Sequence, residues 1–565
     1  MMKPLLHSAI CITALTLGAC SDQVTTTTQS ATTTAKGATT TANSIAVNVT
    51  NTCSGTYPSY WQDPAEKFAG MWQGQQISDA PPADWQGPVF QISDLYPTEL
   101  VDDSAAQGWR AEKFDAMFNA ETAQDTKREL AEEYAWLVMN YIQEGNVNQQ
   151  DAEDWDVCEN KVRPWFNIPF QTYDAMSGRE FTHGLTREAP VTFSTQSDGL
   201  VKSSMWAIGF FNETAAYTLG TVWGRDGKAT IPTENVSFAE GAVVGKPLFN
   251  TASTTQLPVM ANLPSWNANI SDPAFCACTP ANGKECTLIE ESQQCPRSTT
   301  QWDGVRLLQF DFAVKDSRAP GTQWVFGTFV ADGQRKATEP DQWKRISPLG
   351  VMWGNDTPPA GELAYDYPQN VRQNGFKEEV IFWDVVDELN KYGGDDVMKQ
   401  MGHLGCNFRL NGPADNGNSS CMSCHGSASV PDNNLETPPL LSQFSAITKE
   451  CVTPDAGQPT QGKDRTGSAA TVNNGVSFAE VDSIYFANTA AAAPFNMTLD
   501  LPTGAKNIMP GAPQYGSDGK VSEWISLDYS LQLSISLKQW MQWQNHQQQE
   551  AASRIHFKEI RRNHP

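Results

Sequence analysis

The sequence predicts an α+β protein: a β-rich domain, sandwich or barrel, with an N-terminal helical part before it and a mostly helical C-terminal domain after it. Three observations carry this expectation. Over 111–144, Phe114, Met117, Phe118, Leu130, Tyr134, Leu137, Val138 and Tyr141 recur at three- and four-residue steps, the period of a helix with one buried face. From about 179 to 330, short apolar or alternating runs are punctuated by Gly, Pro and Asn, the pattern of strands joined by turns. Helical spacing then returns over 376–401 and 527–547. A chain of 565 residues with 18 Trp, 25 Phe and 13 Tyr has ample material for a large core.

Met1-Met2-Lys3 is a short basic start, and residues 5–17 are mostly apolar but too few to span a bilayer. Leu17-Gly18-Ala19-Cys20 follows. This ending resembles the lipobox of bacterial lipoproteins, which implies that 1–19 is a signal peptide, that cleavage precedes Cys20 and that Cys20 is acylated. Ser21 stands where that family's sorting rule uses Asp for inner-membrane retention, so the resemblance points to the outer membrane, with Asp22 one residue later as a countersign. Residues 20–50, rich in Thr, Ala and Ser, bury too little apolar surface to fold and read as a tether. No later stretch of eighteen apolar residues occurs, so lipid is the expected attachment to the membrane.

The remaining chain divides into a mixed, partly helical region (51–170), the β-rich domain (171–400) and the C-terminal domain (401–565). In the first, Gly145 and Asn146 are expected to end the helix. In the second, strands are expected over 205–211, 216–223, 242–249, 305–314 and 323–330, and Trp353-Gly354-Asn355-Asp356 reads as a turn. In the third, Asp528 and Ser530 read as start signals for a helix over 527–547. A net charge of −25, with no basic stripe interleaved with aromatics, argues against nucleic acid as a partner.

Twelve cysteines are present. Cys11 would leave with the signal and Cys20 would carry lipid. Eight others (53, 158, 276, 278, 286, 295, 406 and 451) form an even set, which in an exported chain favours disulfides. Cys276, Cys278, Cys286 and Cys295 sit together in a polar stretch, where two local bridges and a metal site are the alternatives. Cys406 with Cys451, and Cys53 with Cys158, are natural further pairs, although spacing does not fix connectivity.

The last two cysteines lie in Cys421-Met422-Ser423-Cys424-His425. Two thiols three residues apart, with an adjacent imidazole, match the attachment of haem through its two vinyl groups with the histidine beneath the iron. Chance alone gives such a pentapeptide in roughly 0.3% of chains with this composition. Followed by Gly426, it resembles the haem motif of c-type cytochromes, and 406–545 resembles a cytochrome c domain. The resemblance implies one covalent haem c on Cys421 and Cys424, His425 as proximal iron ligand and a methionine as sixth ligand. Met509, in a turn-rich Met-Pro segment, fits that role by order; Met497, Met401, His403 and His183 are weaker candidates. The expected function is electron transfer at the periplasmic face of a bacterial membrane with a periplasmic or membrane redox partner. The alternatives are a haem enzyme with an open distal site and a haem-based binding or sensing module.

A second resemblance concerns the β-rich part. The order of Phe238-Ala-Glu-Gly-Ala-Val-Val-Gly-Lys-Pro-Leu-Phe249, a Trp-Val-Phe strand at 324–326 and a late Cys-x-x-Cys-His is similar to that of cytochrome P460-type proteins. It implies a β-sheet fold around an open, five-coordinate haem reacting with small nitrogen oxides or amines, with Lys246 near the haem. This chain is far longer, with long segments between those elements. Arg179, Glu180, His183, Arg187 and Glu188 also cluster, as a propionate clamp, a distal acid/base group or a plain polar loop.

Overall fold

The alternating runs of the sequence pair into one antiparallel sheet of ten strands with a helix against one face. The computed structural model describes chiefly residues 93–146, 160–169, 200–224, 229–266, 304–356, 375–392, 408–415, 420–426, 428–431 and 524–537, with shorter segments elsewhere, all within the unit Val49–Pro565. In chain order the main elements are α1 (Gln124–Gln143), β1 (Trp165–Phe166), β2 (Thr186–Ser194), β3 (Leu200–Ala207), β4 (Phe210–Asn212) and α2 (Glu213–Trp223). There follow β5 (Val243–Asn250), β6 (Ser265–Trp266), β7 (Val305–Lys315), β8 (Trp324–Ala331), β9 (Ile346–Met352), β10 (Glu379–Ile381) and α3 (Trp383–Tyr392). The last are α4 (Cys421–His425), β11 (Ser429–Pro431) and β12 (Trp524–Ser526).

The main path of the sheet is β1-β4-β5-β7-β8-β9-β10, with β3 also on β5, β2 on β3 and β6 on β7. These ten strands thus form one hydrogen-bonded sheet with open ends. The ten strands close no barrel, and β11 pairs with β12 in a separate two-stranded sheet, one of five such ribbons among the described residues.

α1 follows the helical period of the sequence. Ala131, Tyr134, Ala135, Val138, Met139 and Ile142 are all buried and lie three, one, three, one and three residues apart, which is one stripe. Gly145 stands beyond its end at φ +80°, a conformation that favours glycine. The run 216–223, read as a strand, is helix α2. Asn212 caps it by accepting from the Ala215 N–H at 3.0 Å, and Ala215, Ala216, Leu219, Val222 and Trp223 form a helical stripe, so cap and period outweigh the β-branched content. The expected helix from 376 begins instead as strand β10, because the free edge of β9 offers a ladder: Val351 pairs with Val380 and Gly350 with Ile381. α3 follows and is described as far as Tyr392. In the C-terminal run, helical backbone starts at 531, later than expected, with the Ser530 hydroxyl oxygen accepting from the Leu533 N–H at 3.3 Å. No helix among the described residues is long and apolar enough to cross a membrane.

The sheet has two different faces, because successive side chains alternate. Toward α1 runs the cross-strand row Phe210, Gly245, Phe312, Gly327. Large and small residues alternate, so each phenylalanine ring covers the neighbouring glycine: a Cβ on Gly245 would come within 2.6 Å of Phe210 Cζ, and one on Gly327 would overlap Phe312 Cζ and Cε1. Trp136 of α1 then stacks edge-on against Phe329, centroids 4.8 Å apart. The opposite face carries Val244, Lys246, Asp311, Ala313, Trp324, Phe326 and Thr328. One continuous apolar core links α1, the sheet, Met422 of α4 and Leu533 and Leu537 of the C-terminal run.

Gly327→Ala must displace the Phe312 ring, so it is expected to destabilise the fold by about 1–3 kcal/mol, as overpacking does. Urea denaturation measures this, and a stability equal to wild type would contradict the packing described.

Candidate functional site

The second face of the sheet is the floor of a cleft containing about 1180 Å³ of non-atom space, its mouth included. α4 forms one wall. Its five residues are held by a reciprocal cap: the Ser423 N–H donates to Ser420 Oγ at 3.0 Å and the Ser420 N–H donates to Ser423 Oγ at 2.8 Å. Ser420 Oγ in turn donates to Asn355 Oδ1 at 2.6 Å. Met422 is buried in the core, so the turn is fixed and Cys421 and Cys424 face the cleft. Neither thiol is in a disulfide. The turn is also tied to the sheet edge: the Cys421 N–H donates to the Leu410 carbonyl at 3.0 Å, and the Leu410 N–H donates to Glu379 Oε2 of β10 at 2.8 Å. Thr328 Oγ1 of β8 lies 3.8 Å from Cys421 Sγ. Burial, then Asp311 and Asp415, pushes the Cys421 thiol well above its usual range, which keeps it protonated.

His425 closes α4 and packs on Phe326 of β8, ring centroids 4.4 Å apart. Its Nδ1 is 2.8 Å from the Tyr529 carbonyl oxygen. A carbonyl only accepts, so Nδ1 carries the proton and Nε2 keeps its lone pair. Burial pushes the His425 pKa down to about 4, with the Tyr529 carbonyl opposing and Lys246 adding to the depression. The imidazole is therefore neutral in ordinary buffer, which is the form that binds a metal.

On the floor, Lys246, Asp311 and Thr328 stand side by side on β5, β7 and β8. Gln309 Nε2 donates to Asp311 at 2.7 and 2.9 Å and to Asp415 Oδ2 at 2.6 Å, while its Oε1 accepts from the Ala414 N–H at 2.9 Å. One amide thus bridges two acids and pins the loop that carries the second. Burial, and then Asp415, raises the Asp311 carboxyl well above the usual range; Gln309, Lys246 and Thr328 act against that rise. Asp311 is consequently able to hold a proton where an ordinary carboxyl has lost it.

Of the residues singled out in the sequence, Cys421, Cys424, His425 and Lys246 line this one cleft. Met509, Met497, Met401, His403, His183, Cys20 and the eight cysteines outside the haem motif and the leader lie outside the described residues. Sequence reasoning missed Asp311, Gln309, Asp415, Ser420, Ser423 and Tyr529. A signal existed for some: Gln309 and Asp311 interrupt the apolar run 307–314, and Ser420-x-x-Ser423 has the spacing of a cap. Tyr529 acts through its backbone carbonyl, which sequence does not mark. Asp528 does not start a helix; its carboxylate is buried against Lys315, with Nζ 2.8 Å from both oxygens.

Glu379 gives a pH prediction. It is fully buried, and burial, despite the Leu410 N–H, raises its carboxyl well above the usual range. The native state then holds a proton that the unfolded chain releases, so this contribution is complete below the ordinary carboxyl range and is lost as pH rises through the raised native value. Glu379→Gln is expected to gain stability on wild type as pH increases from 4 to 8 in denaturant melts. A difference independent of pH would contradict this.

No protein-family model, curated protein or solved structure matches this chain.

Proposed function

We propose that this chain is a mono-haem c-type cytochrome whose haem sits against the sheet and works as an oxidoreductase on a small molecule. The observation that carries this reading is that Cys421, Cys424 and His425 share one cleft with the Lys246–Asp311–Thr328 row. The donor set fits the group: two thiols outside any disulfide, a neutral imidazole with Nε2 unprotonated, and aromatic side chains of Phe326 and Trp324 for an apolar macrocycle. Cys421 and Cys424 would hold haem covalently and His425 would ligate its iron, which supplies one-electron chemistry when bound.

The chain's own residues do the rest. Phe326 and Trp324 exclude water from the floor. Asp311, bridged to Asp415 by Gln309, holds and releases a proton at its carboxyl, and Lys246 places positive charge opposite it. A simple electron carrier has no use for such a row, so the enzyme reading gains over the carrier expected from the sequence. The similarity to P460-type proteins implies small nitrogen oxides or amines as the substrate class. Lipidation at Cys20, a place on the periplasmic face of a membrane, the outer one by the sorting rule, and a redox partner there complete the proposal.

Optical spectra of the holoprotein with carbon monoxide or cyanide test it. High-spin spectra that change at once on ligand addition are expected. Six-coordinate spectra unaffected by either ligand would overturn the enzyme reading and return the chain to the carrier, with Met509→Ala then testing the sixth ligand.

A further inference from the structure

The segment 528–529 is held in a way that its own sequence does not favour. Asp528 has φ +51° and Tyr529 φ +65°, two consecutive non-glycine residues in the left-handed region. Such backbone persists only where its surroundings over-determine it. Here they do. The Asp528 carboxylate accepts from Lys315 Nζ at 2.8 Å on both oxygens, from Trp324 Nε1 at 3.0 Å on Oδ1 and from the Phe238 N–H at 2.7 Å on Oδ2. The Asp528 N–H donates to Ser526 Oγ at 3.1 Å. Asp528, Lys315, Trp324 and Phe238 are all buried.

The next carbonyl, that of Tyr529, accepts from His425 Nδ1 at 2.8 Å and from the Leu531 N–H at 3.1 Å. One strand reaches both ends of the arrangement. Trp324 of β8 grips Asp528, and Phe326, two residues on and on the same face, packs on the His425 ring. The frame leaves the Tyr529 carbonyl little freedom to leave the imidazole.

We propose that Asp528 is a positioning residue for the proximal histidine: it holds the Tyr529 carbonyl on His425 Nδ1 and thereby sets how strongly Nε2 donates to a bound iron. The inference deepens the haem reading above and rests on it. A hydrogen bond given by Nδ1 raises the basicity of the ligating nitrogen, and outer partners of this kind tune a metal as effectively as its direct ligands do. A more basic imidazole favours ferric over ferrous iron, so the intact frame keeps the midpoint potential low.

The test measures the midpoint potential of the holoprotein by spectroelectrochemistry in wild type, Asp528→Asn and Trp324→Phe. Asparagine offers one acceptor oxygen where the frame supplies three donor groups, and it leaves Lys315 without its counter-charge. Asp528→Asn is expected to raise the midpoint with one haem still attached. Trp324→Phe, which removes a single donor and keeps an aromatic ring, is expected to shift it in the same direction by less. A midpoint equal to wild type in haem-loaded Asp528→Asn overturns the inference, even if the melting temperature falls, since that pattern marks a structural role alone. Should Asp528→Asn fail to fold, Trp324→Phe decides: a raised midpoint supports the inference and an unchanged one overturns it. A wild-type protein that takes up no haem contradicts the haem reading and removes the inference with it.

Discussion

The Lys315–Asp528 ion pair joins the last residue of a central strand to a segment more than two hundred residues later, with neither side chain reaching water. A buried pair of this kind adds little net stability over well-packed apolar side chains, but removing one partner costs about 3–5 kcal/mol because the other charge stays buried. Its consequence here is placement. Asp528 also takes the Trp324 indole N–H and the Phe238 amide, so the C-terminal segment has one register against β8. Burial lowers the Lys315 pKa, and the Asp528 carboxylate opposes that shift. The Tyr529 carbonyl, and through it the tautomer of His425, follows from that register.

The sheet separates two tasks. Its face toward α1 is a packing surface of alternating Phe and Gly, where ring and backbone meet closely enough that a single methyl would not fit. Its other face is chemically mixed: Phe326 and Trp324 are apolar, while Lys246, Asp311 and Thr328 carry charge and hydroxyl. β7 bears both roles in consecutive residues, Asp311 toward the cleft and Phe312 toward the helix side. Strand alternation alone makes this possible, and a rigid packed face behind holds the polar row in place.

The mixed helix-and-sheet character and several single elements were legible because they rest on local signals. The helical stripe of α1, the strand runs β5, β7 and β8, and the Cys-Met-Ser-Cys-His turn each declare themselves within a dozen residues. What was not legible depends on distance along the chain. The run 216–223 has strand-like composition, and only Asn212 as a cap with Ala215, Leu219, Val222 and Trp223 on one side makes it α2. β10 becomes a strand because β9 offers an unpaired edge, which 379–381 does not announce. Asp528 looks like a helix cap by local pattern and is instead the counter-ion of Lys315. Lys246 was connected to the motif only through the P460-type resemblance, since the residues that bring them together, Asp311 and Thr328, lie on two other strands.

The cleft is organised around the five residues of α4. A reciprocal serine cap, a buried methionine and a link through Leu410 to Glu379 present two thiols to a cleft whose floor combines Phe326 and Trp324 with the Lys246–Asp311–Thr328 row. Intact mass spectrometry of the protein produced with covalent haem-attachment machinery tests this most directly. Wild type should carry the added mass of one haem, retained after denaturation, and Cys421→Ala with Cys424→Ala should lose it while folding normally. Wild type at the mass of the bare polypeptide, or a double variant that keeps the adduct, would contradict it.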